Sequence, residues 1–178
     1  MRRVVLLALL GGLAVATAQA APAPDGNWTA FGRSADQNRH SPLTQIDRDN
    51  VDKLQRQFVV DFHDLDPTTR RGEQSYPLVV GGVMYVTTNE GRVWALRADS
   101  GKVLWDRTGF QFDSIQQPVY ADGVIWAMEG PDIVAFDAST GDQLGFWYLA
   151  PATTFAVAEG HVFVPSPDGR LFILSPKT

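Results

Sequence analysis

Gly82, Gly123 and Gly160 set the register for the whole chain. Each follows a short apolar run and precedes another, and they lie 41 and 37 residues apart. Aligned on them, three stretches match: PLVVGGVMYVTTNEGRVWALRADSGKVLW from Pro77, PVYADGVIWAMEGPDIVAFDASTGDQLGFW from Pro118, and FAVAEGHVFVPSPDGRLFILSPKT from Phe155. Other glycines repeat as well. Gly91 and Gly169 precede Arg92 and Arg170, and Gly101 and Gly141 follow Ala95 and Ala135 by six residues. Gly81-Gly82 and Asp122-Gly123 supply the positive φ values that a two-residue hairpin turn needs. Looser turns follow at Asn89-Glu90-Gly91 and Pro167-Asp168-Gly169, and tighter ones at Asp99-Ser100-Gly101 and Ser139-Thr140-Gly141. The pattern predicts a four-stranded antiparallel meander of about 40 residues, the unit of a β-propeller blade. Repeats are expected at 76–107, 117–148 and 153–178, and the third copy shows only three strand patterns. The fold class is therefore all-β: a partial β-propeller of about three four-stranded antiparallel blades with a short N-terminal helical leader. Three blades fall short of the roughly 4–8 that close a ring.

Residues 1–20 read as a secretory signal peptide, with Arg2 and Arg3 before an apolar run and Ala18-Gln19-Ala20 as a small-residue cleavage site. The apolar run is too short for a permanent membrane span. The twin arginines make the twin-arginine export route a minor alternative. A periplasmic or secreted location follows. Residues 21–75 form the leader. Within it IDRDNVDKL predicts one or two helical turns, capped by Asp49, with Val51 and Leu54 facing inward. LQRQFVVDF predicts a strand with Phe58, Val60 and Phe62 on one face.

The formal charge of −5 becomes more negative once the two signal-peptide arginines are removed. Such a chain has no electrostatic reason to bind nucleic acid or anionic lipid. It has no cysteine, so it forms no disulfide, thiolate metal site or lipidated-cysteine anchor.

GRSADQNRHSPLTQIDRDNVDKL, from Gly32 to Leu54, resembles the N-terminal segment of the quinoprotein alcohol dehydrogenases. RRGEQSYPLVVGGVMYVTT, WALRADSGKVLW and VAFDASTGDQL extend the resemblance over almost all of the mature chain. The resemblance implies an eight-bladed propeller in the periplasm that uses pyrroloquinoline quinone and calcium. It also implies a glutamate contacting the quinone just before the first blade. Gln74 stands at that position and Glu73 one place early, where an extended backbone turns the side chain to the other side. The family's adjacent cysteines over the quinone have no counterpart in GFQFDSIQQPV. Its calcium ligands and catalytic aspartate lie on later blades. Gly145 occupies the position of Trp105, with Trp147 two residues on.

No catalytic, cofactor-binding or metal residue is therefore assigned, and no cofactor is expected in this chain alone. Trp94, Trp105, Trp126 and Trp147 are read as locks between blades rather than a stacking pocket. Asp61, Asp64 and Asp66 around His63 offer oxygens to a hard cation, but they lack the glycine and distal acid of a calcium loop and are read as a solvated turn. His40 and His161 share no ligand spacing with His63, and His40 is placed where the leader meets the outer wall. Glu129 and Asp132 are a carboxylate pair near a turn with nothing expected to bury them, so they carry no role. The reading is an exported, truncated relative of quinoprotein dehydrogenases that is not catalytic alone. The alternatives are a non-enzymatic envelope interaction module, or an assembly in which strand Gln55–Phe62 of one chain completes the third blade of another.

Overall fold

In the computed structural model the described residues are 26–34, 36–68, 76–88, 91–107, 115–149 and 152–175. The signal peptide, Glu73, Gln74 and most of the stretch after the first blade lie outside them.

Eleven strands form three antiparallel sheets among these residues. The first contains β1 (Leu78–Val80), β2 (Val83–Thr88), β3 (Arg92–Arg97) and β4 (Val103–Arg107) in sequential order. The second repeats the order with β5 (Ile115–Ala121), β6 (Val124–Glu129), β7 (Asp132–Asp137) and β8 (Gln143–Trp147). The third holds β9 (Ala156–Ala158), β10 (His161–Pro165) and β11 (Leu171–Leu174). These are the three expected blades, the last with three strands.

The glycine register explains why the pattern repeats. Each first hairpin closes over two residues: Val80 pairs with Val83, Ala121 with Val124 and Ala158 with His161. All six turn residues have positive φ, from 49° at Asp122 to 81° at Gly82 and Gly123. That is the turn whose twist matches two antiparallel strands. The third-strand pairing then slips at one repeated place, between Ala95 and Leu96 in the first blade and between Ala135 and Phe136 in the second.

Alternation along the strands sends the two faces to different neighbours. Leu78, Tyr85, Val93, Ala95 and Trp105 of blade one meet Ile125, Ala127, Val134, Phe136 and Ala138 of blade two. Trp126, Met128, Ile133 and Ala135 of blade two meet Val162 and Val164 of blade three. The sheets thus stack in series, and fully burying each large side chain contributes about 1.5–3 kcal/mol.

The leader differs from expectation. Residues 54–61 join no sheet, although Phe58, Val60 and Phe62 do point the same way. Phe58 and Val60 press on Gly101, and Phe62 tilts against Trp94 with ring centres 5.4 Å apart. The segment therefore covers the flank of blade one by side-chain packing and pairs with no strand among the described residues. One helical turn, α1, spans Phe62–Leu65 instead. Earlier, a single 3₁₀ turn covers Val51–Lys53, and Val51 and Leu54 are 51% and 59% exposed rather than inward. Asn50, not Asp49, sits at the cap position and makes no side-chain capping bond; its Oδ1 accepts from Asp47 N and its Nδ2 donates to Gln45 O instead. The start of the leader is tied to the first strands. Trp28 bridges Val79 of β1, and Tyr120 N donates to Thr29 O at 2.8 Å. That places it along the first strands, where blades one and two adjoin.

Candidate functional site

Two features repeat between blades, one at each end of the strands. The first is a lock. Trp105 lies across from Ala95, which lies across from Tyr85. The small centre lets the two rings lean together at 5.9 Å. Trp105 Nε1 and Tyr85 Oη both donate to Ala138 O at 3.1 Å, across the boundary with blade two. Burial, with smaller contributions from Tyr120 and Asp137, pushes the Tyr85 hydroxyl up to about 12, so it remains a donor. The indole lies flat on Gly141, where a Cβ would stand 2.6 Å from its Cε3. Asp137 shapes that turn by accepting from Ser139 N, Ser139 Oγ and Thr140 N, and these bonds hold its carboxyl below the usual range.

Blade two builds the same row as Trp126, Ala135 and Gly145. Trp147 folds back over the space that Gly145 leaves and stacks on Trp126 at 5.7 Å and 28°. Trp105, Trp126 and Trp147 thus lie where blades meet. Trp94 does not: it faces the leader, with Arg92 over its ring at 4.9 Å.

The second feature is polar. Among the described residues, the buried polar or charged side chains are Thr87, Thr88, Glu129, Asp132 and Ser166. All five sit where strand two turns into strand three. Thr88, Glu129 and Ser166 occupy the same place after Gly82, Gly123 and Gly160. Glu129 and Asp132 pair directly across β6 and β7, 0% and 1% exposed. Alternation aims them at blade one, beside Ala127 and Val134. Neither Asp132 carboxylate oxygen reaches a hydrogen-bond partner among the described residues. Burial pushes its carboxyl above the usual range. The Leu149 backbone N–H pulls less strongly the other way, short of a well-formed bond. The expectation that nothing buries this pair is therefore overturned. The even spacing Ile125, Ala127, Glu129 carries the signal that reveals it.

The acidic turn is spent locally. Asp61 accepts from His63 N at 2.9 Å, and Asp66 accepts from Thr68 N and Oγ1 and pairs with Arg92 at 2.8 Å. Those Thr68 bonds, with Arg92 a smaller influence, lower the Asp66 carboxyl. His161 Nδ1 contacts Glu159 O at 2.7 Å, and His40 is exposed. Among the described residues, no three His, Asp or Glu side chains are placed to hold a metal ion.

Blades stacked in series through repeated aromatic and small-residue docking define the chain as a partial β-propeller. The chain belongs to the PQQ-type glucose/ethanol/alcohol dehydrogenase β-propeller family, whose sequence signature matches residues 28–117. It is 48% identical over 80 residues to the dehydrogenase subunit of the quinone alcohol dehydrogenase of Gluconobacter oxydans. That stretch is 45% of this chain and 10% of that protein. It is 32% identical over all 178 residues to the 1-butanol dehydrogenase (cytochrome c) of Thauera butanivorans, of which this covers 21%. Among solved structures, the quinohemoprotein alcohol dehydrogenase of Comamonas testosteroni superposes on 80% of this chain and 23% of its own, with a TM-score of 0.67 at 21% identity. The chain thus spans about a fifth or less of the length of these curated relatives.

Proposed function

We propose that this chain supplies the first blades of an exported quinoprotein-type propeller and is not catalytic by itself. The observation that carries this reading is the pairing of a complete blade lock with an incomplete chemical site. Tyr85, Trp105 and Gly141 build the inter-blade contact. By contrast, Gln74 stands where the resemblance expects a quinone-contacting glutamate, and the chain has no cysteine. Fold and activity separate readily, because activity resides in the residues placed on a scaffold rather than in the scaffold. The N-terminal apolar run with its small-residue cleavage site supports export to the periplasm or beyond. Purified chain mixed with pyrroloquinoline quinone, calcium, a primary alcohol and a redox dye should give no dye reduction above the protein-free mixture. Sustained turnover would overturn the reading.

A second reading rests on the leader. Residues 54–60 make no backbone hydrogen bond to other described residues, and β11 is an edge of the three-stranded sheet. The outward face of that sheet exposes Leu171 and Ile173 at 58% and 56%. Addition of segment 54–60 from one copy to β11 of a second would supply its fourth strand. The same step would bring the blade-one flank of the first copy onto the exposed face. Light scattering on the mature chain should report a dimer, and a strictly monomeric species at high concentration rules the exchange out.

A further inference from the structure

We propose that the leader and the start of β1 form a binding pocket for a small amphipathic acid, an alkyl chain ending in a single carboxylate. The inference starts from how the leader is fastened. Trp28 and Val79 exchange backbone hydrogen bonds at 2.6 and 2.9 Å, so the leader lies against β1 at this point. Beside them Asn27 Oδ1 accepts from Gly81 N at 3.0 Å. The chain then loops out and back between Gly32 and Arg39, and Arg39 N closes the loop by donating to Gly32 O at 3.1 Å. Gly32 permits this closure: its φ is +78°, and a Cβ there would stand 2.9 Å from the Gln37 backbone. The closed loop holds the Arg39 guanidinium over the Phe31 ring, 4.8 Å from its centre.

A cavity of about 520 Å³ is walled by Trp28, Phe31, Leu43, Tyr76 and Val79, with Arg39 also lining it. That volume falls within the range of small-ligand sites. Phe31 and Leu43 are 45% and 52% exposed, so this apolar lining meets water. Local contacts hold the walls in place. Ser41 Oγ accepts from Leu43 N at 3.2 Å, and Gly26 lies so close to the Leu43 side chain that a Cβ would stand 3.1 Å from it. Tyr76 Oη donates to Pro118 O at 3.4 Å, which turns the hydroxyl toward blade two and leaves the ring as a wall. The Phe31 and Tyr76 rings meet at 5.0 Å and 50°. Rings tilted in this way make no parallel slot for a rigid planar ligand, whereas a flexible alkyl chain can follow them.

Charge selects the other end of the ligand. Arg39 is the charged residue of the lining. Its guanidinium pairs with no carboxylate among the described residues. Asp36, the acid of the same loop, accepts instead from Ser34 Oγ and from Asn38 Nδ2. A guanidinium presents paired N–H donors that suit a carboxylate. One cation beside an apolar cavity matches one acid group. A ligand with several would leave the others unpaired against apolar walls, where a charge is costly.

Isothermal titration calorimetry of the full chain with sodium octanoate, decanoate and dodecanoate, each below its micelle concentration, tests this. Binding should saturate at one acid per chain, with Kd falling roughly fourfold for each added methylene. Decyltrimethylammonium, the same chain length with a cationic head, should bind about tenfold more weakly than decanoate. Arg39→Gln should weaken decanoate by roughly three- to tenfold and narrow the gap between the two head groups. Leu43→Glu alters an exposed position, so the chain should still fold, but it sets a carboxylate in the wall and should abolish decanoate binding. Four results would each overturn the proposal: no saturable binding of decanoate, no trend with chain length, equal affinity for the two head groups, or wild-type affinity in either variant.

Discussion

Trp105→Ala should destabilise the chain by about 3–5 kcal/mol, the range for removing a large buried aromatic side chain, read as a lower denaturant midpoint. The indole is 8% exposed and belongs to the cluster joining blades one and two. Most of the loss is packing rather than hydrogen bonding. Ala138 O also accepts from Tyr85 Oη at 3.1 Å, so it keeps a donor when the indole N–H is gone. Trp105→Phe should accordingly cost far less, about 1 kcal/mol from the lost N–H bond plus the smaller ring. The partner glycine supplies the control. Gly141 has φ +74°, and a Cβ there would stand 2.6 Å from the Trp105 ring. Gly141→Ala should be costly in the wild type through both the backbone and the clash. In the Trp105→Ala background only the backbone part remains, about 1 kcal/mol or somewhat more. A double-mutant cycle should therefore show coupling of at least about 1 kcal/mol. Strict additivity would mean that the indole does not rest on this turn.

Gly145→Ala should cost about 1–3 kcal/mol, the usual penalty for overpacking, and should separate the two indoles of blade two. Its φ is not in the left-handed region, so the backbone accepts alanine and the penalty comes from the ring alone. A Cβ would stand 2.6 Å from Trp147 Cζ2 and nearer still to Cη2. Trp147 would have to leave its stacked place on Trp126. Near-ultraviolet circular dichroism reports the stack directly and should lose the signal of two coupled indoles. An unchanged spectrum and midpoint would show that Trp147 does not fill the space over Gly145.

The blades were legible because their chemistry is local. Gly82, Gly123 and Gly160 close two-residue turns, and the alternation between them sets which face is buried. The same reasoning placed Phe58, Val60 and Phe62 on one face but made the segment a strand, which it does not form. Alternation determines which side packs, whereas pairing requires a neighbour with free backbone groups, and residues 54–61 pair with no strand among the described residues. Val51 and Leu54 were misplaced for a related reason: three residues of 3₁₀ turn do not make a helix long enough to have an inward face. Glu129 and Asp132 were underestimated because a carboxylate near a turn usually meets water. Their burial comes from the tertiary packing around that end of β6 and β7. Trp147 was visible as a departure from the repeat, but its return over Gly145 depends on the third dimension.

Equilibrium binding of pyrroloquinoline quinone to the purified chain, with calcium present, tests the central claim most directly. If these blades are scaffold without a complete quinone site, titration should give no saturable signal and no rise in thermal midpoint. A one-to-one complex would stabilise the folded chain by about 2.7 kcal/mol at a hundredfold excess over its Kd. A shift of that size, saturating at one quinone per chain, would contradict the account.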